Sequence, residues 1–434
     1  MPSAITTGRP TITKFTNCRL LKGDQLVNQD LWVSSSTGKI VRSQEAFYSE
    51  HSVPDITINL NGRIISPGLI DVQLNGAFGF NFSSIPEDPS TYGKLLRQVN
   101  KSLVQTGVTS YLPTLTSSNK DVYHQALPHL GPSGRYRVAS DGAESLGAHC
   151  EGPFISPTKN GIHPVEVLVP APNGFSDLED IYGVENISST IDRDGNIAPP
   201  RIRKITAAPE IAAMTNTIQE ITSRGIVYSI GHTEATYEEA SAAVAAGATM
   251  ITHLFNAMRP LHHRNPGVFG VLGRAESLPR PFFGIIADGI HLHPTSIKIA
   301  FNAHPEGFIL VTDAMHLVGL PDGVYDWGNG ERLVKSGPKL TLEGTDKIAG
   351  SSISLIECVN NFLNWSGASI PQALKAVTST PAAMLNLQGV KGCLDSDADA
   401  DLTILDEQVD SSGFKSLVVD QVWKFGSKVF DREE

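Results

Sequence analysis

Residues 225–258 read GIVYSIGHTEATYEEASAAVAAGATMITHLFNAM, which is two short apolar runs on either side of a helical pattern. The helical pattern covers 236–246, and Thr236 and Glu239 at its start have the spacing of a capping box. A histidine follows each apolar run: His232 after GIVYSI and His253 after ATMI. This alternation predicts a strand–helix–strand unit of a parallel sheet, with one imidazole at the end of each strand.

The same rhythm extends in both directions along the chain. Eight apolar runs are candidate strands, at 64–73, 108–114, 145–151, 203–210, 226–232, 248–253, 283–288 and 308–313. Helical patterns lie between or after them, at 89–106, 210–224, 236–246, 294–304, 353–366 and 371–386, the last preceded by a second capping-box spacing at Ser369 and Gln372. Eight strands in this order predict an α/β fold, a TIM-type (β/α)8 barrel, whose chemistry lies at the C-terminal strand ends.

Both ends of the chain have a different pattern, short strands separated by turn residues. Neither end is large enough to bury a core alone, so we expect residues 1–65 and 397–434 to form one small β-sandwich domain. The barrel then covers 66–396. Two segments interrupt it: a long Pro/Gly-rich loop at 153–200 and a hairpin insertion at 321–349.

Composition excludes several classes of function. The 434 residues carry a net charge of -11, and no run of Lys/Arg suggests a nucleic-acid or membrane surface. The four cysteines form no C-x-x-C pair, which favours a reducing, cytoplasmic compartment. The first residues lack the features of a signal peptide, and no apolar stretch has the length of a membrane helix.

Four side chains at predicted strand ends suggest a hydrolytic metal site. Glu151 ends the third strand, His232 the fifth and His253 the sixth, and three protein ligands plus water are typical of a catalytic divalent metal. Asp313 ends the eighth strand and could act as base for a water held by the metal. Taken singly, each of these residues is more often a solvated loop charge or an ordinary core histidine, but their joint placement favours the metal site.

The first strand is informative because Gln73 and Asn75 occupy alternate positions there, where many metal-dependent hydrolases of this fold carry His-x-His. Neutral amides are poor ligands for transition metals, so we expect one metal ion per chain. Gln73 and Asn75 would then orient water or substrate, or else only support the loop. Zn²⁺ is the default ion for a Glu/His/His set, although Fe²⁺, Co²⁺ or Mn²⁺ could serve.

A group of possible anion-binding residues follows the sixth and seventh strands. Asn256, Arg264 and His291 offer amide, guanidinium and imidazole donors suited to a phosphate. The alternative is a solvated basic loop. His163 lies on the long loop and could reach over the site.

These motifs resemble those of the N-acetylglucosamine-6-phosphate deacetylase family, within the amidohydrolase superfamily. The resemblance rests on the ordered segments PGLIDVQLNG (67–76), EGPF, GHT, THLFNAM, RNPG, IIADGIH (285–291), VTDA, AGSSIS (349–354) and TSTPAAMLN (378–386). The length of the 153–200 loop resembles the eukaryotic members. Residues 392–401 depart from the family by lacking a second glycine.

The resemblance implies hydrolysis of the acetamide of N-acetylglucosamine 6-phosphate to glucosamine 6-phosphate and acetate. It implies one metal held by Glu151, His232 and His253, with Asp313 as acid and base. It further implies that Asn256, Ala257 and His291 contact the sugar phosphate and that His163 contacts the sugar or the scissile carbonyl. Arg264 would reach the active site of the neighbouring subunit of a homodimer. The alternatives are a related amidohydrolase with another N-acyl substrate, and a non-catalytic barrel that binds sugar phosphates.

Overall fold

The computed structural model describes residues 11–42, 53–191, 195, 197–275, 277–328 and 331–433. Parts of the predicted features lie outside the described residues: 1–10, 43–52 and 434 of the small domain, 192–194 and 196 of the long loop, 329–330 of the hairpin, and 276 of the barrel.

The chain begins with short strands, as the turn-rich pattern predicts. They are β1 Ile12–Thr16, β2 Arg19–Lys22, β3 Gln25–Asn28, β4 Leu31–Ser34, β5 Lys39–Val41, β6 Ile56–Asn59 and β7 Ile64–Pro67. Strands β1, β4, β5 and β6 form one sheet, while β2, β3 and β7 belong to another.

The middle of the chain forms a barrel. Its strands, and the short strands between them, are β8 Leu69–Leu74, β9 Gly76–Ala77, β10 Phe80–Asn81, β11 Val108–Thr116, β12 Glu144–Ser145, β13 Ala148–Glu151, β14 Thr190–Ile191, β15 Ile197–Ala198, β16 Ile202–Ala207, β17 Val227–Ile230, β18 Met250–Ile251, β19 Phe282–Ile286 and β20 Phe308–Val311. Eight of them pair in parallel in the order β8-β11-β13-β16-β17-β18-β19-β20.

The barrel closes between its last and first strands. The N–H of Asp313 donates to the carbonyl of Gln73 at 2.9 Å, and Leu74 and Ala314 form a parallel bridge. Each of the eight predicted strands overlaps one barrel strand, so the predicted (β/α)8 barrel is confirmed. The first half of the first predicted strand instead forms β7 of the terminal sheet.

Helices surround the barrel. They are α1 Tyr92–Leu103, α2 Lys120–Leu130, α3 Phe175–Tyr182, α4 Val184–Ile187, α5 Met214–Ser223, α6 Tyr237–Ala245, α7 Pro294–Ala303, α8 Leu355–Ser366, α9 Ile370–Lys375 and α10 Ser379–Met384. Both predicted capping boxes form, at Thr236 and at Ser369. The predicted helix at 371–386 is two helices in the structure. Three helices were not predicted: α2, and also α3 and α4, which lie within the long loop. None of the helices within the described ranges is long and apolar enough for a membrane crossing.

The insertion after the eighth barrel strand is larger than the predicted hairpin. It is a four-stranded antiparallel meander: β21 Gly323–Gly328, β22 Glu331–Ser336, β23 Lys339–Leu342 and β24 Ile348–Ser351. The turn at Gly337, whose φ is +55°, and the turn at Gly344, whose φ is +75°, divide the second half into two more strands. Leu333, Leu340 and Met315 are buried between the meander and the barrel.

The C-terminal strands are β25 Leu402–Val409, β26 Lys415–Lys424 and β27 Ser427–Asp431. They join β7, β2 and β3 in a six-stranded sheet of order β27-β26-β25-β7-β2-β3. This sheet and the β1-containing sheet enclose one core, in which the rings of Phe15 and Trp423 meet edge to face with centroids 5.0 Å apart. Both ends of the chain contribute to that core, so the β-sandwich built from both termini is confirmed. Leu394 also packs in it, a few residues inside the predicted barrel range.

Candidate metal centre and substrate pocket

The predicted site residues lie together at the C-terminal mouth of the barrel. Glu151 ends β13. His232, His253 and Asp313 each lie two residues beyond the end of a strand, after β17, β18 and β20. The last three have positive φ angles of 49°, 25° and 46°, a region that residues other than glycine rarely adopt. Strained backbone of this kind persists only where the surrounding structure holds it in place, and it is found most often at functional sites.

Three of these side chains converge on one point. The Nε2 atoms of His232 and His253 lie 3.0 Å apart, and Glu151 Oε1 is 3.2 Å from the first and 3.0 Å from the second. All three side chains are buried. Ligand atoms around a tetrahedral zinc ion with bonds of about 2.0 Å would be about 3.3 Å apart. The observed triangle is close to that spacing, so the donor set fits a divalent ion.

The hydrogen bonds of His232 strengthen this fit. Its Nδ1 lies 2.7 Å from the carbonyl oxygen of Lys159, which can only accept, so Nδ1 carries the proton and Nε2 presents its lone pair. Metal-binding histidines usually have such a partner on the outer nitrogen.

His163 also offers an atom within 4.8 Å of ligand atoms of Glu151 and His232, but its hydrogen bonds indicate another role. The backbone N–H of Ser117 donates to His163 Nδ1 at 3.0 Å, which leaves the proton on Nε2. Burial lowers the pKa of His163 to about 3, so the ring is neutral. A neutral ring with Nε2–H is a hydrogen-bond donor rather than a metal ligand.

Gln73 and Asn75 contact the two carboxylates of the site. Gln73 Nε2 donates to Glu151 Oε1 at 3.0 Å, and Asn75 Nδ2 donates to Asp313 Oδ1 at 2.8 Å. The amide oxygen of each side chain is buried and has no hydrogen-bond partner within the described part of the chain. Each amide therefore orients a carboxylate and keeps one acceptor free.

The pocket at this mouth has a volume of about 180 Å³. Of the predicted substrate contacts, His163, Asn256, Ala257 and His291 line it, together with Asn75 and Asp313. His291 is paired with Asp288: its Nδ1 lies 2.7 Å from Asp288 Oδ2. Burial alone would lower the pKa of His291, but the hydrogen bond and charge of Asp288 raise it, which favours an imidazolium facing the pocket.

Arg264 lies elsewhere. It is exposed on the loop after β18 and does not line the pocket of its own chain. The structure therefore does not bring the predicted anion group together within one chain.

Several pocket residues were not singled out in the sequence. Thr116, Ile286 and Met315 line the pocket, and so do Ile348 and Gly350 of the meander. The motif AGSSIS marked this last segment without indicating a role. For the carbonyl of Lys159 the sequence held no signal, because any residue type offers a carbonyl.

Comparison with known proteins identifies the family. Residues 64–429 match the amidohydrolase family. The N-acetylglucosamine-6-phosphate deacetylase of Mus musculus is 40% identical over 98% of this chain and 97% of its own length. That of Vibrio furnissii is 31% identical over 95% and 94%.

Solved structures agree with these relatives. The deacetylase from Pasteurella multocida has 25% identity and a TM-score of 0.76, covering 96% of this chain and 99% of its own. A mutant of the Mycobacterium smegmatis deacetylase in complex with N-acetyl-D-glucosamine-6-phosphate has 25% identity and a TM-score of 0.73, covering 97% and 100%. The chain therefore belongs to the amidohydrolase family and, within it, to the N-acetylglucosamine-6-phosphate deacetylases.

Proposed function

We propose that this chain hydrolyses the acetamide of N-acetyl-D-glucosamine 6-phosphate to D-glucosamine 6-phosphate and acetate. The observation that carries the proposal is the convergence of Glu151, His232 and His253 beside Asp313, at the mouth of a barrel that belongs to this family. Binding of a sugar phosphate alone would not require a buried proton acceptor beside three metal-binding groups.

One divalent ion per chain, Zn²⁺ in our proposal, is held by Glu151, His232 and His253. When bound, it supplies Lewis acidity that polarises the acetamide carbonyl and acidifies water. Gln73 keeps the carboxylate of Glu151 in place, and the Lys159 carbonyl keeps the lone pair of His232 directed at the ion.

Asp313 moves the proton. Burial and the nearby charge of Glu151 raise the pKa of Asp313, so it can take a proton from the attacking water and keep it. It then delivers that proton to the amine nitrogen as the C–N bond breaks, and Asn75 holds the carboxylate throughout. The Nε2–H of His163 is available to the carbonyl oxygen or the sugar.

The remaining residues bind the phosphorylated sugar. In our proposal Asn256, Ala257 and His291 contact it from the same chain. Arg264, which is exposed and outside the pocket of its own chain, reaches the phosphate in the neighbouring subunit of a homodimer. We further propose a cytoplasmic enzyme, in keeping with four cysteines that are all free.

The test is acetate release by the metal-loaded protein from the phosphorylated and the unphosphorylated sugar, with elemental analysis of the same sample. We expect release that strongly favours the phosphorylated sugar, and about one divalent ion per chain. Equal turnover of both sugars would refute the assigned substrate. Two tightly held ions per chain would refute the single-metal site.

A further inference from the structure

The side chain of Glu234 joins two loops of the barrel mouth to its own. It lies on the loop after β17, two residues beyond His232. Its Oε1 accepts a hydrogen bond from Thr158 Oγ1 at 3.1 Å and lies 3.3 Å from Lys159 Nζ. Its Oε2 accepts from Arg259 Nε at 3.0 Å.

Each of the loops held in this way carries residues of the candidate site. The loop after β13 supplies the Lys159 carbonyl that accepts from His232 Nδ1, and the N–H of Ser156 donates to the carbonyl of His232 at 2.9 Å. The same loop continues to His163. The loop of Arg259 follows β18, carries Asn256 and leads to residue 264.

The carboxylate of Glu234 extends from a fixed backbone. Its own N–H donates to Glu210 Oε1 at 2.6 Å, while Thr233 Oγ1 donates to Glu210 Oε2 at 2.5 Å. The N–H of Thr233 donates to the carbonyl of Ala257 at 3.0 Å. The loop after β17 is thus held by Glu210, which follows β16, and by Ala257, which follows β18. From this fixed position Glu234 can hold the two loops that its side chain contacts.

The contacts of Glu234 contribute little to global stability. Its side chain is 32% exposed, and those of Lys159 and Arg259 are 25% and 45% exposed. Ion pairs at such exposure are worth little to the fold. Within the described residues, however, the backbone of 157–168 makes only local backbone–backbone hydrogen bonds, in two single 3₁₀ turns and the turns beside them. No backbone–backbone hydrogen bond in the described part of the chain joins this stretch to another element, so side-chain contacts must hold it in place. The effect of Glu234 is therefore local.

We propose that Glu234 is a positioning residue that holds the Lys159 carbonyl against His232 and keeps the loops of His163 and Asn256 in register around the pocket. Its effect on catalysis rests on the proposed function. Its effect on metal retention and on the order of the loop does not.

The experiment compares Glu234→Gln with Glu238→Gln, which removes the same charge from an exposed position in the first turn of α6. Two measurements do not depend on enzyme activity. The first is the amount of metal that loaded protein retains during dialysis against increasing chelator concentrations. The second is amide hydrogen exchange of residues 156–165 in metal-free protein. Outer partners of metal-binding histidines typically affect metal affinity or activity by 10–100-fold. We therefore expect metal-loaded Glu234→Gln to lose its ion at a roughly 10-fold lower chelator concentration. In metal-free protein, amide exchange at 156–165 should be faster, while the melting temperature should stay unchanged.

Arg259→Met and Lys159→Met test each arm separately. If Glu234 acts through them, adding either change to Glu234→Gln should cause less than the sum of the single losses, because the contact is already broken. Glu234→Gln behaving like Glu238→Gln in both metal retention and exchange would overturn the inference. A wild-type protein that binds metal but releases no acetate would instead refute the proposed function and leave these two readouts decisive.

Discussion

Glu151 and Asp313 are carboxylates of one site, yet their surroundings shift their pKa values in opposite directions. Burial would raise the pKa of Glu151, but hydrogen bonds and charge from His232 and His253 hold it well below its usual range. For Asp313, burial and the charge of Glu151 together raise the pKa. Pairs of titratable groups separated in this way indicate which one is ionised and which exchanges a proton. The difference supports the ligand role proposed for Glu151 and the acid–base role proposed for Asp313.

Asp313→Asn tests the acid–base role. The amide keeps the size of the side chain but cannot accept the proton, so kcat should fall by roughly 10²–10⁴-fold, the range of general acid–base catalysis. Metal content and substrate affinity should change little. Steady-state kinetics and elemental analysis of the variant measure both, and a variant with most of its turnover would show that another group moves the proton.

The loops that follow the barrel strands carry almost all of the site, while the strands set their spacing. The loop after β18 has residues both in the pocket and on the exposed surface. Asn256 and Ala257 line the pocket, whereas Arg264 on the same loop is exposed. A loop that leaves the pocket and continues over the surface can contact a second subunit.

Arg264→Ala tests the outer half of that loop. An arginine–phosphate pair is charge-assisted, so its loss should lower kcat/KM for the phosphorylated sugar by at least about tenfold. The unphosphorylated sugar should be affected little. Equal losses on both sugars would make Arg264 a structural residue.

The same variant tests the dimer. If the arginine acts across an interface, mixing Arg264→Ala chains with Asp313→Asn chains should restore part of the activity. One site of each mixed dimer then has its own Asp313 and the partner's Arg264. Mixed dimers without any recovery would place the arginine in the site of its own chain.

A buried ion cluster joins the barrel to the small domain. Lys391 pairs with Glu144, with Asp399 at 2.7 Å and with Asp401 at 2.6 Å, while Lys424 pairs with Glu144 at 2.6 Å and with Asp401 at 2.7 Å. The two lysines differ in pKa direction. Burial would lower the pKa of Lys391, but its three carboxylates raise it. Lys424 is more deeply buried, has two carboxylates and is repelled by Lys391, so its pKa is lowered. The two buried lysine charges are therefore compensated only while all three carboxylates are present.

Asp401→Asn should be strongly destabilising. Removing one partner from a buried ion pair leaves an uncompensated charge and typically costs about 3–5 kcal/mol. Asp24→Asn is the matched control, since Asp24 also pairs with a lysine, Lys375, but its side chain is 71% exposed. The control should cost under about 1 kcal/mol. Urea unfolding of both variants measures the difference, and equal midpoints would mean that the cluster contributes nothing to the fold.

The same cluster predicts sensitivity to acid. Burial would raise the pKa of Asp401, yet Lys391 and Lys424 hold it below the usual range. Its folded pKa lies below its unfolded pKa of about 3.9. Its stabilising contribution is therefore present above about pH 4 and is lost as the pH falls through the folded pKa. In urea titrations between about pH 5 and 2, wild-type stability should fall more steeply than that of Asp401→Asn. Parallel curves would contradict this assignment.

Local patterns were sufficient to predict the barrel and its polar strand ends. Apolar period, capping boxes and turn residues are properties of neighbouring residues, so they indicated the eight strands and placed His232 and His253 at strand ends. Strand order in a parallel barrel then brings those ends to one mouth. The number of strands in the meander was underestimated because two further turns in the second half of a hairpin leave its local residue pattern nearly unchanged.

Contacts between distant parts of the chain were decided only by the folded structure. Gln73 donating to Glu151, and the Lys159 carbonyl accepting from His232, each join residues more than 70 positions apart. The same holds for Lys391 and Glu144, which no charge run connects. Such contacts depend on the relative placement of whole strands and loops, and no local pattern encodes that placement. The sequence alone determined which residue types stand at the barrel mouth, and tertiary packing decided which atom of each faces the proposed metal position, the pocket or a supporting loop.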